Sequence, residues 1–292
     1  MRKKSHLMGK KFLAIYLLPG LLIYSFIIII PLIMGARQSL VNSSGDFNYF
    51  KNYMLLAKDK EFWMSFVNNL FIILISVIGE IGIGFLISIL LTSKKIFFKE
   101  FHRTVVFLPV VLSSVVVGFI WRLIYDKSYG LLDLALRTMG LESWIRPWLD
   151  SISTVMYAVT APLVWQWIGL YVVIIVSALT SIPIEIFDAA EIDGANLFQR
   201  TTRITLPLLK DTLLVCIMVC VSGVMKIFDH IYVMTGGGPG ISSQVLAMYA
   251  YKKSFIQFEL GYGSTISMGM IILSYCLIFL SRLVIRGESD YA

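Results

Sequence analysis

Few residues in this chain of 292 have the types and spacings that bond-making chemistry requires. Cys216 and Cys220 stand one helical turn apart, but two thiols with no neighbouring His make a poor metal site. No Ser-His-Asp order and no paired carboxylates suggest catalysis. The glycine-rich stretch Gly236 to Gly240 lacks the Gly-Lys-Ser/Thr that a phosphate-binding loop needs. Pro239 marks it as a turn that redirects the chain. What remains are polar residues set within apolar runs. Glu80 is the deepest acid, in Gly79-Glu80-Ile81-Gly82. Lys226, Asp229 and His230 cluster beside Tyr232, and Trp121-Arg122 and Trp165-Gln166-Trp167 add aromatic and amide groups. The chemistry these types suit is binding, through planar polar groups and aromatic faces. Each also has a structural explanation, since a buried acid can pair across a helix bundle and hold it together.

Composition sets the medium for these residues. The chain is 58% hydrophobic and only 15% charged, with a mean hydropathy of +0.81. A soluble domain carries about 25% charged residues, so this is an integral membrane protein. A bilayer core about 30 Å thick needs roughly 20 apolar residues of helix. Six such runs occur, at about 12–34, 66–92, 104–125, 155–180, 211–234 and 262–284. Pro31, Pro109 and Pro162 interrupt them, which neighbouring helices accommodate. The expectation is an all-α, polytopic protein with six transmembrane helices in one domain over 1–292. No soluble domain fits between the runs. The first run is too long for the core of a signal peptide and no cleavage site follows, so it reads as an uncleaved first helix. A charge at mid-bilayer costs roughly 2.5–3.5 kcal/mol on insertion scales, so Glu80 calls for a reason.

The net charge of +7 lies beside the apolar runs, which points to membrane orientation rather than nucleic acid. With the N-terminus inside, the inner segments 1–11, 93–103, 181–210 and 282–292 hold 14 of the 25 Lys and Arg. Lys94, Lys95, Lys99 and Arg103 make one of them strongly basic. Both termini are then cytoplasmic. The outer segments are amphipathic: Tyr49, Phe50, Tyr53, Phe62 and Trp63 in one, Trp144, Ile145 and Trp148 in another. Aromatics at that depth anchor the headgroup interface or dock a partner.

The inner segment 181–207 is too patterned for a spacer. Ser181 and Pro183 suit a helix start, and Glu185 and Asp188 complement a helix N-terminus. Asp193-Gly194 is a break at which glycine reaches positive φ. Ala195 to Ile204 suits a second short helix with Arg200 and Arg203 on one side, and Pro207 opens the next span. Ala189, Ala190 and Ala195 keep this helix-turn-helix slim enough to enter a groove on a partner. By spacing alone, a solvated connection remains the alternative.

The stretch Asp188-Ala189-Ala190, Asp193-Gly194-Ala195, Gln199 and Ile204-Thr205-Leu206-Pro207 resembles the EAA coupling loop of binding-protein-dependent ABC importers. Asp188 replaces the usual Glu with a shorter reach, and Thr201 replaces a common aromatic. The resemblance implies that Glu185, Asp188, Ala189, Ala190, Asp193, Gly194, Ala195 and Arg200 grip a separate ATPase subunit. Asn52-Tyr53, Phe62-Trp63, Asn68-Asn69, Phe101-His102-Arg103-Thr104, Phe107-Leu108-Pro109 and the run Phe228 to Gly240 resemble the carbohydrate branch. In particular they look like the larger permease of maltose-type and glycerol-phosphate-type systems. The implied function is translocation of a sugar or oligosaccharide delivered by an external solute-binding protein, with no catalysis by this chain. The implied partners are a second, similar permease, two ATPase subunits that use ATP and Mg, and membrane lipid; no cofactor is expected here. Sugars are held by planar polar groups and aromatic faces, so Glu80, Trp121, Trp165, Gln166, Asp229, His230 and Tyr232 are the candidate substrate path. The rivals are the same machine carrying glycerol phosphate or a peptide, a secondary transporter, which would need inverted repeats and an ion site, and a membrane enzyme.

Overall fold

The computed structural model describes residues 10–42, 45–93 and 96–286. The basic residues of 1–9, Lys94, Lys95 and the segment 287–292 lie outside them. The described chain is helical throughout, apart from loops and one isolated bridge between Val41 and Phe47. It divides into two compact units, residues 1–58 with 250–268, and residues 59–249 with 269–292.

In the first unit, α1 (residues 10–38) passes through a π-helical turn at Ser25–Ile29. Its residues from Tyr16 to Met34 are almost all exposed and apolar, which suits contact with lipid or with another chain. Its end is tied by the carbonyl of Ser39, which accepts from Asn52 Nδ2 at 3.0 Å and from Thr265 Oγ1 at 3.0 Å. Asn52 belongs to α2 (Lys51–Lys58). Buried polar groups here bond backbone, as a buried donor or acceptor must.

The second unit carries most of the core. α3 (Lys60–Thr92) starts before the apolar run does. Asp59 caps it, its Oδ1 accepting from the amides of Glu61 and Phe62. The third apolar run bends sharply: α4 (Lys99–Val111) and α5 (Ser114–Ile124) meet at 95°. Pro109 lacks an N–H, and Leu112 and Ser113 are extended. The carbonyl thereby released, that of Leu112, is taken by Gln166 Nε2 at 2.9 Å. After the short α6 (Leu131–Thr138), α7 (Val155–Thr180) runs unbroken through Pro162. Next come α8 (Ile184–Ile192), α9 (Leu197–Leu208) and α10 (Lys210–Met225), the last two bent by 70°. The expected span 211–234 is two helices. α10 ends at Met225, and α11 (Asp229–Thr235) follows a three-residue break. A short helix, α12 (Leu246–Tyr251), precedes α13 (Leu260–Arg286).

Among the described residues four helices are long and apolar enough to cross a membrane, and up to six spans result if each bent pair is one. Small residues set the packing distances. A Cβ on Gly79 would lie 2.7 Å from Val164 Cγ1, and one on Gly169 would strike the backbone of Val106 and Phe107. α3 and α4 therefore both approach α7 closely, as helices do where small residues meet.

Candidate functional site

Glu80 sits in a π-helical turn, Val77–Ile83, within α3. Such turns add a residue to the helix and recur at functional sites. The close approach at Gly79 brings this turn against α7, and Glu80 is buried with Ser76, Tyr171 and Cys220 facing its carboxyl. Those groups suit a carboxyl in an apolar bundle, because a buried polar group without partners is costly.

Beside Glu80 a cavity of about 540 Å³ opens between α3, α7, α10 and the start of α11. That size falls in the range of small-molecule sites, about 300–1,000 Å³. Leu163, Trp167, Leu170 and Tyr171 supply the α7 wall at helical spacing, and Val215, Val219, Ser222 and Gly223 the α10 wall. Lys226, Ile227 and Phe228, which form the break, continue the lining to Asp229 and His230. The break is held from α3. Asn69 Nδ2 donates to the carbonyl of Val224 at 2.9 Å, and Asn69 Oδ1 accepts from the amide of Leu246 at 3.0 Å. Asn68 Nδ2 donates to the carbonyl of Gln244 at 2.8 Å. Asn69 thus takes up a carbonyl at the end of α10, and the other two bonds tie α3 to the start of α12. His230 is fully buried, and neither ring nitrogen has a partner among the described residues. Its backbone lies against α5, where a Cβ on Gly118 would come within 3.1 Å of the His230 carbonyl.

Of the seven residues expected on the substrate path, the cavity gathers Glu80, Asp229 and His230. Trp121, Trp165, Gln166 and Tyr232 are not in its lining. Gln166 is fully buried and serves the bent α4–α5 pair. Trp121 packs edge-on to Trp165, with ring centroids 6.0 Å apart, and against Tyr125. Tyr125 in turn packs against Trp148, whose Nε1 donates to Asp133 at 2.8 Å. Tyr232 stacks on Phe228 at 5.0 Å. The sequence reading missed Tyr171 and did not single out Trp167 for the path. Their signal was the stripe 163, 167, 170 and 171, which faces one side of a helix. Among the described residues no group of three or more His, Cys, Asp or Glu could hold a metal ion.

The segment 181–207 forms two short helices. Pro183 precedes α8, Gly194 has φ +73°, and Asn196 caps α9. Asn196 Oδ1 accepts from the Gln199 amide, and Gln199 Oε1 accepts from the Asn196 amide, each at 2.9 Å. The second helix begins two residues later than expected and ends four later. It therefore contains Pro207, and the next helix opens at Lys210. Glu185, Asp188, Ala189, Asp193 and Gly194 are exposed, Ala195 and Arg200 half-buried. Ala190 alone of the eight is buried. Arg200 Nη1 lies 3.5 Å from Glu191 Oε2. Ile184, Ile192, Leu197 and Phe198 are exposed hydrophobics on this element.

Residues 80–288 match the family described as "Binding-protein-dependent transport system inner membrane component". The chain is 32% identical over 269 residues to the probable ABC transporter permease protein YurN of Bacillus subtilis, covering 90% of this chain and 92% of that one. It is 32% identical over 288 residues to the sulfoquinovosyl glycerol transport system permease protein SmoG of Agrobacterium fabrum, covering 96% and 92%. Its fold is similar to a chain of a bacterial ABC transporter involved in the import of the acidic polysaccharide alginate. That match has a TM-score of 0.82 at 19% identity and covers 94% of each chain.

Proposed function

We propose that this chain, which belongs to the family of binding-protein-dependent transport system inner membrane components, carries a sugar or oligosaccharide across the membrane. It is a membrane-embedded permease subunit of an ABC importer and not an enzyme. The cargo reading is supported by the cavity of about 540 Å³. Aromatic faces there, Trp167 and Phe228, meet hydrogen-bonding groups, Glu80, Asp229 and His230, as a ligand with hydroxyls and C–H faces requires. The names of relatives that move sugar derivatives support it further.

In this reading six spans cross the membrane and both termini lie in the cytoplasm. α8 and α9 seat in an ATPase subunit, a second permease completes the path, and an external binding protein delivers the cargo. ATP and Mg act at the ATPases, and this chain binds neither. ATP-driven closure of those subunits moves α8 and α9 and reorients the spans by population shift. The test is uptake by the assembled importer in proteoliposomes supplied with its binding protein and internal ATP. Sugar accumulation that stops without ATP supports the reading. ATP-independent uptake driven by an ion gradient overturns it.

A further inference from the structure

A second cluster of charge and aromatic surface belongs neither to the cavity lining nor to α8 and α9. Residues 94–103 carry Lys94, Lys95, Lys99 and Arg103 against one acid, Glu100. Lys94 and Lys95 lie outside the described residues. Lys99 and Arg103 stand one turn apart at the start of α4. Both are half-buried, yet among the described residues neither has an ion-pair or hydrogen-bond partner. A helix start disfavours cations, so α4 itself gives no reason for them. Beside them in the chain Phe97 and Phe98 are 84% and 82% exposed, and Phe101 is exposed as well. Phe98 has φ +55°, which is strained for an aromatic residue, and at that exposure little packing within the chain repays the strain. The apolar surface then continues along α4. Phe101, Val105 and Leu108 are exposed at the i, i+4, i+7 spacing of one helix face, while Val106 and Phe107, on another side, approach Gly169 of α7 closely. Phe101 to Leu108 is about 10 Å of helix. The aromatic cluster thus extends a stripe of the span to the depth of the headgroups. A partner below the membrane would have no use for a stripe that runs on into the span.

We infer that residues 94–103 form a site for anionic phospholipid of the cytoplasmic leaflet, with Lys99 and Arg103 on the headgroup phosphate and Phe97, Phe98 and Phe101 among the upper acyl chains. The inference rests on the orientation proposed above, which puts this segment inside. The surface of that leaflet is negative and attracts basic segments beside a span. Cations with an adjoining row of Phe and Leu suit such an interface.

The test uses the assembled importer carrying Phe97→Cys in a background without Cys216, Cys220 and Cys276. An impermeant thiol reagent is applied first to intact cells. Reaction there would mean that the orientation reading fails, and the inference with it. The purified complex is then labelled at that cysteine with a fluorophore and placed in nanodiscs. Quenching by phosphatidylglycerol brominated in its upper acyl chain is compared with quenching by phosphatidylcholine brominated at the same place. The association constant for the glycerol lipid should be at least about threefold the larger. High salt should bring the ratio towards one, and so should Lys99→Gln with Arg103→Gln. A label at Ile152→Cys, exposed in an outer segment, should show no preference. A ratio of one at Phe97→Cys, a ratio that neither salt nor the double variant lowers, or an equal preference at Ile152→Cys overturns the inference and leaves the orientation standing. So does a label that neither lipid quenches until the ATPase is stripped away, which would give this surface to the ATPase.

Discussion

Gly223 offers the cleanest residue-scale probe of the cavity. It lies in the last turn of α10 and lines the cavity, and a Cβ built on it would have nothing within 4 Å. Gly223→Ala should therefore stabilise the protein by a fraction of the roughly 1 kcal/mol that glycine costs in a helix interior. Gly223→Phe should block uptake without loss of folding, because its ring has open space to fill. Thermal unfolding and uptake measured on both variants check this, and normal uptake by Gly223→Phe would remove the cavity from the path. Asp229 and His230 are separable by the same assays. Asp229 is exposed on the lining, so Asp229→Asn should lower uptake with the complex intact. Unchanged uptake in both Asp229→Asn and His230→Ala would make the pair structural. Glu80 and His230 were legible in the sequence, because a polar residue in an apolar run demands a reason. Trp167 and Tyr171 were not singled out, because an aromatic at helical spacing reads equally as core. Gln166 was assigned to the path for its amide, yet its partner is the Leu112 carbonyl. That carbonyl is free only because the chain bends there, and the bend is a tertiary fact.

The coupling element makes its own prediction. Gly194 has φ +73° with open space around it, so a β-branched residue there would cost about 1–3 kcal/mol of backbone strain. The strain falls on the junction that sets the angle between α8 and α9. Ala190 is a poor probe of docking because it is buried, whereas Ile192 is 87% exposed. Gly194→Val and Ile192→Asp should both insert normally and both weaken retention of the ATPase on purification. Wild-type retention in both variants would reduce this element to a connection. The two-helix form of this loop was readable from Pro183 and Gly194, which terminate helices for local steric reasons. The breaks at Leu112–Ser113 and after Met225 were not. They depend on Gln166 and Asn69, which are distant in sequence and take up the carbonyls of Leu112 and Val224.

At the scale of the whole molecule, hydropathy foretold the membrane and the all-helical class. Length and composition admit six spans only if each bent pair crosses once. Orientation rests on the Lys and Arg distribution. Cysteines placed at Asp193 and at Ser242, in a background without Cys216, Cys220 and Cys276, should label from opposite sides. Asp193→Cys should react with an impermeant reagent only in inside-out vesicles, and Ser242→Cys in intact cells; the reverse pattern would invert the topology. The central claim is that this chain passes cargo while a separate ATPase drives it through α8 and α9. The most direct measurement is to purify the tagged chain from its own cells, reconstitute what accompanies it, and follow ATP hydrolysis as the sugar-loaded binding protein is added. The account predicts a second permease and an ATPase in the preparation, with hydrolysis stimulated by the loaded binding protein and lost in Ile192→Asp. A chain that purifies alone and transports without ATP would contradict it.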